Sequence, residues 1–327
     1  MKALVYTGVR TLAYQEVPEP VAVAGESRVR VERVGICGSD MHAFQGHDER
    51  RPAPLILGHE AAGTVIGGER NGQRVTVNPL VGCGTCPACT AGRANLCASR
   101  QILSLPPRQG AFADQVMIPH ENLVSVPDGV SFDKASLAEP IACGWHAVRL
   151  GQRVLNEPLA STRCLVIGGG AIGVGAALSL LANGATDVVL VEPNEARRRY
   201  LDTLGELDVR APEQAGSRFG LVIDGVGYPA TRAQSTRVVD PGGVVLHIGL
   251  GSAEDGLDIR RMTLQEITFI GTYTYTPDDF RATAAAIFDG SLGSLAWTET
   301  RALKEGGAAF DDIRNGCNAA PKLILVP

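Results

Sequence analysis

Residues 162–192 constrain the fold more than any other stretch. Residues 164–167 form a short apolar run of the kind that makes a buried strand. Gly168, Gly170 and Gly173 follow in G-x-G-x-x-G spacing, with Ala171 and Ile172 between the last two. Small residues from 176 to 181 read as a helix, and 188–191 is a second apolar run closed by Glu192, 24 residues after Gly168. Each glycine has a physical role in such a unit: a tight turn, close backbone approach to a pyrophosphate, and close helix–strand packing. The helix N-terminus offers free N–H groups and partial positive charge to phosphates. A carboxylate at the end of the second strand suits a ribose. Glycines alone would fit a tight turn in any parallel α/β sheet. Strand, glycines, helix, strand and acid in order point to a dinucleotide site.

Around this unit, residues 163–275 alternate strands and helices, as a doubly wound parallel sheet requires. Further buried strands are expected at 221–227, 243–249 and 267–275, and a helix at 280–288. Residues 1–34 read as β-rich, with strands at 4–6 and 28–34, and further strands are expected at 64–66, 73–77, 111–118 and 122–126. Residues 132–150 have helical character, and 322–326 read as a closing strand. A length of 327 residues allows about two domains. The net charge of −5 leaves no footprint for nucleic acid, and no run reaches membrane-spanning length. The first residues lack the apolar stretch of a signal peptide, so a cytoplasmic location is expected.

Cys83, Cys86, Cys89 and Cys97 follow the pattern C-x2-C-x2-C-x7-C in a loop rich in glycine and proline. Four thiolates so spaced suit a closed tetrahedral zinc site that staples a loop without a core. A second set is Cys37, His59, Glu60 and Glu139. A catalytic zinc takes about three protein ligands and keeps one position open. Cys37 and His59 supply a thiolate and an imidazole. Glu139 is the preferred third ligand, because a lone charge in an apolar helix is costly. Glu60 either alternates with water as a fourth ligand or stands behind the ligands.

With these motifs in hand, nearly the whole chain resembles the zinc-dependent medium-chain dehydrogenase/reductase family, the alcohol and polyol dehydrogenases. Residues 35–40 and 58–60 resemble its catalytic-zinc motifs, the four-cysteine loop its structural-zinc site, and residues 168–173 its cofactor turn. Glu139-Pro140 resembles the carboxylate form of its third ligand, found in members acting on sorbitol, butanediol and sugar alcohols. The resemblance implies a GroES-like catalytic domain, residues 1–142 and 277–327, and a Rossmann domain, residues 143–276. It also implies two zinc ions per chain, a homodimer or homotetramer, and Ser39 and His42 as the start of a proton path. Two stretches are shorter than the family pattern, residues 66–72 and 205–219.

The expected function is hydride transfer between a secondary alcohol (polyol, sugar alcohol or diol) and NAD. Glu192 favours NAD over NADP by repelling a 2′-phosphate. The competing feature is Arg197-Arg198-Arg199, one of which can face the site and reach a 2′-phosphate or lie along the adenine face, and Arg197 is counted as cofactor-binding. The alternatives are a zinc-free quinone-type reductase of the same fold and a non-catalytic dinucleotide-binding protein. Residues 44–51 and the helix near Trp145 are expected to line the substrate. Arg50 and Arg51 form either an anion grip or a solvated face.

Overall fold

The computed structural model describes all residues, Met1–Pro327. Six parallel strands build one sheet: Arg163–Ile167, Asp187–Val191, Asp208–Arg210, Phe219–Asp224, Val239–His247 and Thr268–Gly271. Counted one to six along the chain, they lie in the order 3-2-1-4-5-6, the doubly wound arrangement of a dinucleotide-binding sheet. Successive residues of a strand point to opposite faces. Cys164, Val166, Leu190, Leu221, Ile223, Val244 and Leu246 therefore join one core. Leu165, Ile167, Val189, Val191, Val222 and Val245 join another on the far side. Burial on both faces explains why these strands are continuous apolar runs rather than alternating ones.

The first of those cores is roofed by two helices, Ala138–Gln152 and Ala171–Ala182, which cross closely. A Cβ on Gly144 would lie 2.6 Å from the backbone of Ala176, and one on Gly175 would lie 3.1 Å from Ile141 Cα. The crossover between the third and fourth strands holds only the 3-10 turn Pro212–Gln214, in keeping with the short stretch noted at 205–219.

The second large sheet is mixed and seven-stranded. Along it run Leu123–Ser125, Arg74–Val77, Glu60–Ile66, Glu26–Gly35, Lys322–Val326 and Thr298–Ala302, with Gln115–Pro119 also paired to Glu26–Gly35. Both ends of the chain thus contribute to one sheet. Its core gathers Phe44, Phe112 and Phe310, with ring centroids 5.1 and 5.9 Å apart along the trio. A three-stranded sheet headed by Lys2–Gly8 flanks it. No helix is long and apolar enough to cross a membrane.

Several boundaries differ from the sequence reading. The helical stretch 132–150 is two helices, Phe132–Ser136 and Ala138–Gln152. Pro140 has no N–H to donate backwards, so it fits only in the first turn of a helix that restarts just before it. The strand expected over 267–275 ends at Gly271. The strand expected over 111–118 begins at Gln115 and runs to Pro119. The glycine-turn helix starts at Ala171, five residues ahead of the apolar stretch that signalled it.

Gly144→Ala tests the helix crossing. The added methyl cannot fit against the Ala176 backbone, and overpacking of this kind costs about 1–3 kcal/mol, which outweighs the better helix propensity of alanine. Thermal and urea unfolding should both show lower stability than wild type.

Candidate active site and metal centres

The first motif places Cys37 in extended conformation at the head of the short helix Gly38–Phe44. Asp40, wholly buried in that helix, ties the two N-terminal motifs together. It accepts from Cys37 N at 3.0 Å and from Gly58 N at 3.2 Å, and its Oδ1 lies 3.6 Å from His59 Nδ1. Ser104 Oγ stands 3.3 Å from the same Nδ1. These contacts fix the imidazole and leave Nε2 for a metal. Burial works against a charge on His59, but Asp40 and Cys37 outweigh it and hold its pKa well above the usual histidine value. Burial likewise opposes the Asp40 charge, and His59 and Arg51 together hold its pKa below the ordinary value.

Cys37, His59 and Glu60 bring their ligand atoms within 4.8 Å of one another. Glu60 opens the strand Glu60–Ile66 directly beside Gly35. Both its oxygens accept from Lys322 Nζ at 2.6 Å, and that ammonium also donates to Ile36 O at 2.9 Å. The pair is almost fully enclosed, with side-chain exposures of 3% and 1%. Gly35 makes the enclosure possible, since a Cβ there would lie 2.0 Å from Glu60 Oε2. Burial would lower the Lys322 pKa, but Glu60 and Cys37 reverse this and raise it.

Glu139 stands beside the trio rather than within it. Its Oε1 accepts from Tyr275 Oη at 2.7 Å. Burial raises its pKa, with His59 pulling the other way. Tyr275 follows Thr274, whose φ of +48° is costly for a β-branched residue. Tyr273, before the strained residue, receives Asn95 Nδ2 on its carbonyl at 2.8 Å and the Arg100 guanidinium on its ring at 4.8 Å. Further along, Asp279 joins Thr276, His146 and Arg149, with His146 Nδ1 at 2.7 Å. Glu139, His146 and Arg149 all belong to the Ala138–Gln152 helix, so the 275–279 segment is fastened to that helix at both ends.

Ser39 and His42 are half-buried one turn apart on the Gly38–Phe44 helix, with no hydrogen bond between them. Arg51 departs from the solvated-face alternative. It is buried, donates to Ser104 O at 2.8 Å and pairs with Asp48, whose pKa falls to about 2. Burial opposes that fall, and hydrogen bonding to Arg50 and the charge of Arg51 overcome it. Arg50 is exposed and shares the same carboxylate.

The second cluster unites Cys83, Cys86, Cys89 and Cys97, again within 4.8 Å. Cys83 Sγ and Cys89 Sγ are 4.0 Å apart. Thiolates at about 2.3 Å from a tetrahedral zinc stand about 3.8 Å from each other, so the loop fits the ion. The Thr85 and Cys86 amides point at Cys83 and lower its pKa to about 6. Of residues 82–101 only Cys97 is a buried apolar side chain, so no apolar core holds this loop.

At the dinucleotide turn, Gly168 has φ +104° and a Cβ on Gly173 would strike Gly168 O at 1.7 Å. Gly170, by contrast, faces open space, the opening a phosphate needs for close approach. Ala171 and Ile172 begin the helix with no side-chain cap on its free amides. Glu192 accepts from Gly169 N and Asn194 N, both at 2.8 Å. Arg197, five residues on, donates through Nη2 to Asn318 O at 3.1 Å.

Sequence reasoning had left Asp40, Tyr275, Asp279 and Lys322 without roles. Asp40 lay inside a recognised motif. Lys322 carried a signal as well, being a charged residue at the head of an apolar strand.

Family comparison agrees with this architecture. Residues 23–128 match the family described as alcohol dehydrogenase GroES-like domain, and residues 171–289 match zinc-binding dehydrogenase. The chain is 31% identical to L-galactonate-5-dehydrogenase of Escherichia coli (strain K12) over 309 residues, covering 89% of this chain and 88% of that one. It is 28% identical to sorbitol dehydrogenase of Arabidopsis thaliana, covering 82% and 79%. Among solved structures, acetophenone reductase from Geotrichum candidum NBRC 4597 in complex with NAD superposes with a TM-score of 0.88 at 26% identity, covering 100% of this chain and 97% of that chain.

Metal analysis should find one zinc for each of the two clusters. Cys37→Ser should lose one ion and all turnover while keeping its melting temperature. Cys97→Ser should lose the other and melt lower, by on the order of 5–10 °C. Full activity in Cys37→Ser with one zinc retained would remove Cys37 from the catalytic centre.

Proposed function

The chain belongs to the zinc-dependent medium-chain dehydrogenase/reductase family, and on that premise we propose which of its residues carry the chemistry. The protein is a zinc-dependent oxidoreductase that moves a hydride between a secondary alcohol and a nicotinamide dinucleotide. The convergence of Cys37, His59 and Glu60 beside Glu139 carries this reading. Cys37, His59 and Glu139 hold the catalytic zinc, and Glu60, neutralised by Lys322, stands next to it. Bound zinc supplies Lewis-acid polarisation of the substrate oxygen, and the nicotinamide supplies the hydride acceptor.

The chain's own groups do the rest. Asp40 keeps His59 turned with Nε2 towards the site. Ser39 and His42 carry the substrate proton outwards along their helix. Gly170, Ala171 and Ile172 offer backbone amides to the diphosphate. Glu192 and Arg197 take the adenosine ribose. Cys83, Cys86, Cys89 and Cys97 hold a structural zinc that replaces the missing loop core. The proposed division is residues 1–142 with 277–327 for the catalytic domain and 143–276 for the cofactor domain, with the Ala138–Gln152 helix straddling the boundary and packing on the parallel sheet. A cytoplasmic homodimer or homotetramer completes the picture. Exposed Leu250, Ile259 and Leu264 near the edge strand Thr268–Gly271 suit such an interface.

The substrate is a polyol, sugar alcohol or diol. Arg100 beside the Tyr273 ring extends that class to polyols bearing a carboxylate. The galactonate-specific name of one relative fits the same extension. A panel of sugar alcohols, aldonates, sugar phosphates and simple diols tests the assignment, and turnover of none of them would overturn it.

NAD is the preferred cofactor. The Glu192 carboxylate, held by two backbone amides, repels a 2′-phosphate at contact distance. The ratio of kcat/KM with NAD to that with NADP should exceed about tenfold in wild type and fall in Glu192→Ser. A wild type that already favours NADP would refute this role for Glu192.

His42→Ala should slow turnover near neutral pH by about 10²-fold, the low end for general acid–base groups, with partial recovery at high pH or with added imidazole. Loss of zinc in that variant would make His42 a ligand instead.

A further inference from the structure

Where the C-terminal segment meets the cofactor sheet, two buried polar atoms have no partner. One is the Arg197 Nε donor and the other is the Asn318 Oδ1 acceptor. They belong to residues already in contact, since Arg197 Nη2 donates to Asn318 O at 3.1 Å. Asn318 is only 6% exposed, and a buried polar atom without a partner is rare in a native protein. Its amide cannot be turned round. Nδ2 donates to Ala320 O at 3.0 Å, and a flip would set Oδ1 against that carbonyl. The orphan oxygen is therefore fixed as an acceptor.

The backbone of Arg197 leads back to the ribose end of the cofactor turn. Arg197 N donates to Asn194 Oδ1, Asn194 N donates to Glu192 Oε1, and Gly169 N donates to Glu192 Oε2. One group that accepts from Nε–H and donates to Oδ1 would satisfy both atoms. A hydroxyl does both; an ionised phosphate oxygen has no proton to give.

We propose that Asn318 is a cofactor-binding residue whose Oδ1, with Arg197 Nε–H, receives the 2′-hydroxyl of the adenosine ribose and so disfavours a 2′-phosphate there. This rests on the reading of residues 168–197 as the cofactor site. It assigns part of cofactor choice to the C-terminal segment, four residues before Lys322, rather than to Glu192 alone.

Fluorescence titration of the zinc-loaded protein with NADH and with NADPH, without alcohol, tests it. Asn318→Ala should weaken NADH by about five- to twentyfold and NADPH by less than about twofold, the net worth of a hydrogen bond it does not make, so the ratio between them falls. Asn318→Asp retains an acceptor and adds charge. It should keep NADH binding and weaken NADPH further, and it serves if the alanine variant does not fold. Unchanged NADH affinity in Asn318→Ala, or equal weakening of both dinucleotides in either variant, overturns the assignment while leaving the cofactor site intact. A wild type that binds neither dinucleotide overturns the cofactor reading itself, and this inference with it.

Discussion

Lys322 and Glu60 lie 262 residues apart in the chain and 2.6 Å apart in the sheet. Their ion pair joins the strand at the C-terminal end of the mixed sheet to the two motifs near its start. Such a pair contributes little net stability, because desolvating both charges offsets their attraction. Losing one partner is another matter, since it strands the other charge in the interior at about 3–5 kcal/mol. The pair therefore acts as a register device. It holds Glu60 against Gly35 and sets Cys37 and His59 at their separation. It also keeps a compensated negative charge next to the thiolate and imidazole. Cys37, His59 and Glu60 are placed by that contact and by Asp40 behind them.

The other half of the centre depends on one helix. Ala138–Gln152 presents Glu139 at its first turn, packs Gly144 on Ala176 of the cofactor helix, and binds Asp279 through His146 and Arg149. Burial opposes the Asp279 charge, but its three partners hold its pKa well below the usual carboxylate range. The carboxylate therefore stays ionised at neutral pH, and the fastening with it. The strained Thr274 lies just before that segment, between the anchored Tyr273 and Tyr275, where the surrounding contacts over-determine its conformation.

What the sequence disclosed follows from how local each signal is. The glycine turn and the four-cysteine loop depend on neighbours a few residues away, and their spacing states the geometry directly. The alternating strands and helices of residues 163–271 were legible for the same reason, because both-face burial writes itself as unbroken apolar runs. The partners of the motifs were not legible. Tyr275 reads as the tail of a strand until the chain is seen to leave the sheet at Gly271. Arg51 beside Arg50 reads as a solvated pair until Ser104, 53 residues on, receives it. Asn318 lies in an unremarked loop. Each of these meanings is created by a contact of long sequence separation, which no local pattern encodes. Pro140 marked the helix restart only in hindsight, because proline in a first turn and proline at a break look alike in sequence.

The fastening of Glu139 has a mechanical corollary. Cys37 and His59 are anchored in the mixed sheet, whereas Glu139 rides on a helix locked to the parallel sheet's layer. Any rotation of one layer against the other must change the spacing between Glu139 and the other two. The geometry at the centre thus reports how the two sheets sit against each other. A shift of one sheet against the other would register there as a displaced carboxylate, with no separate relay required.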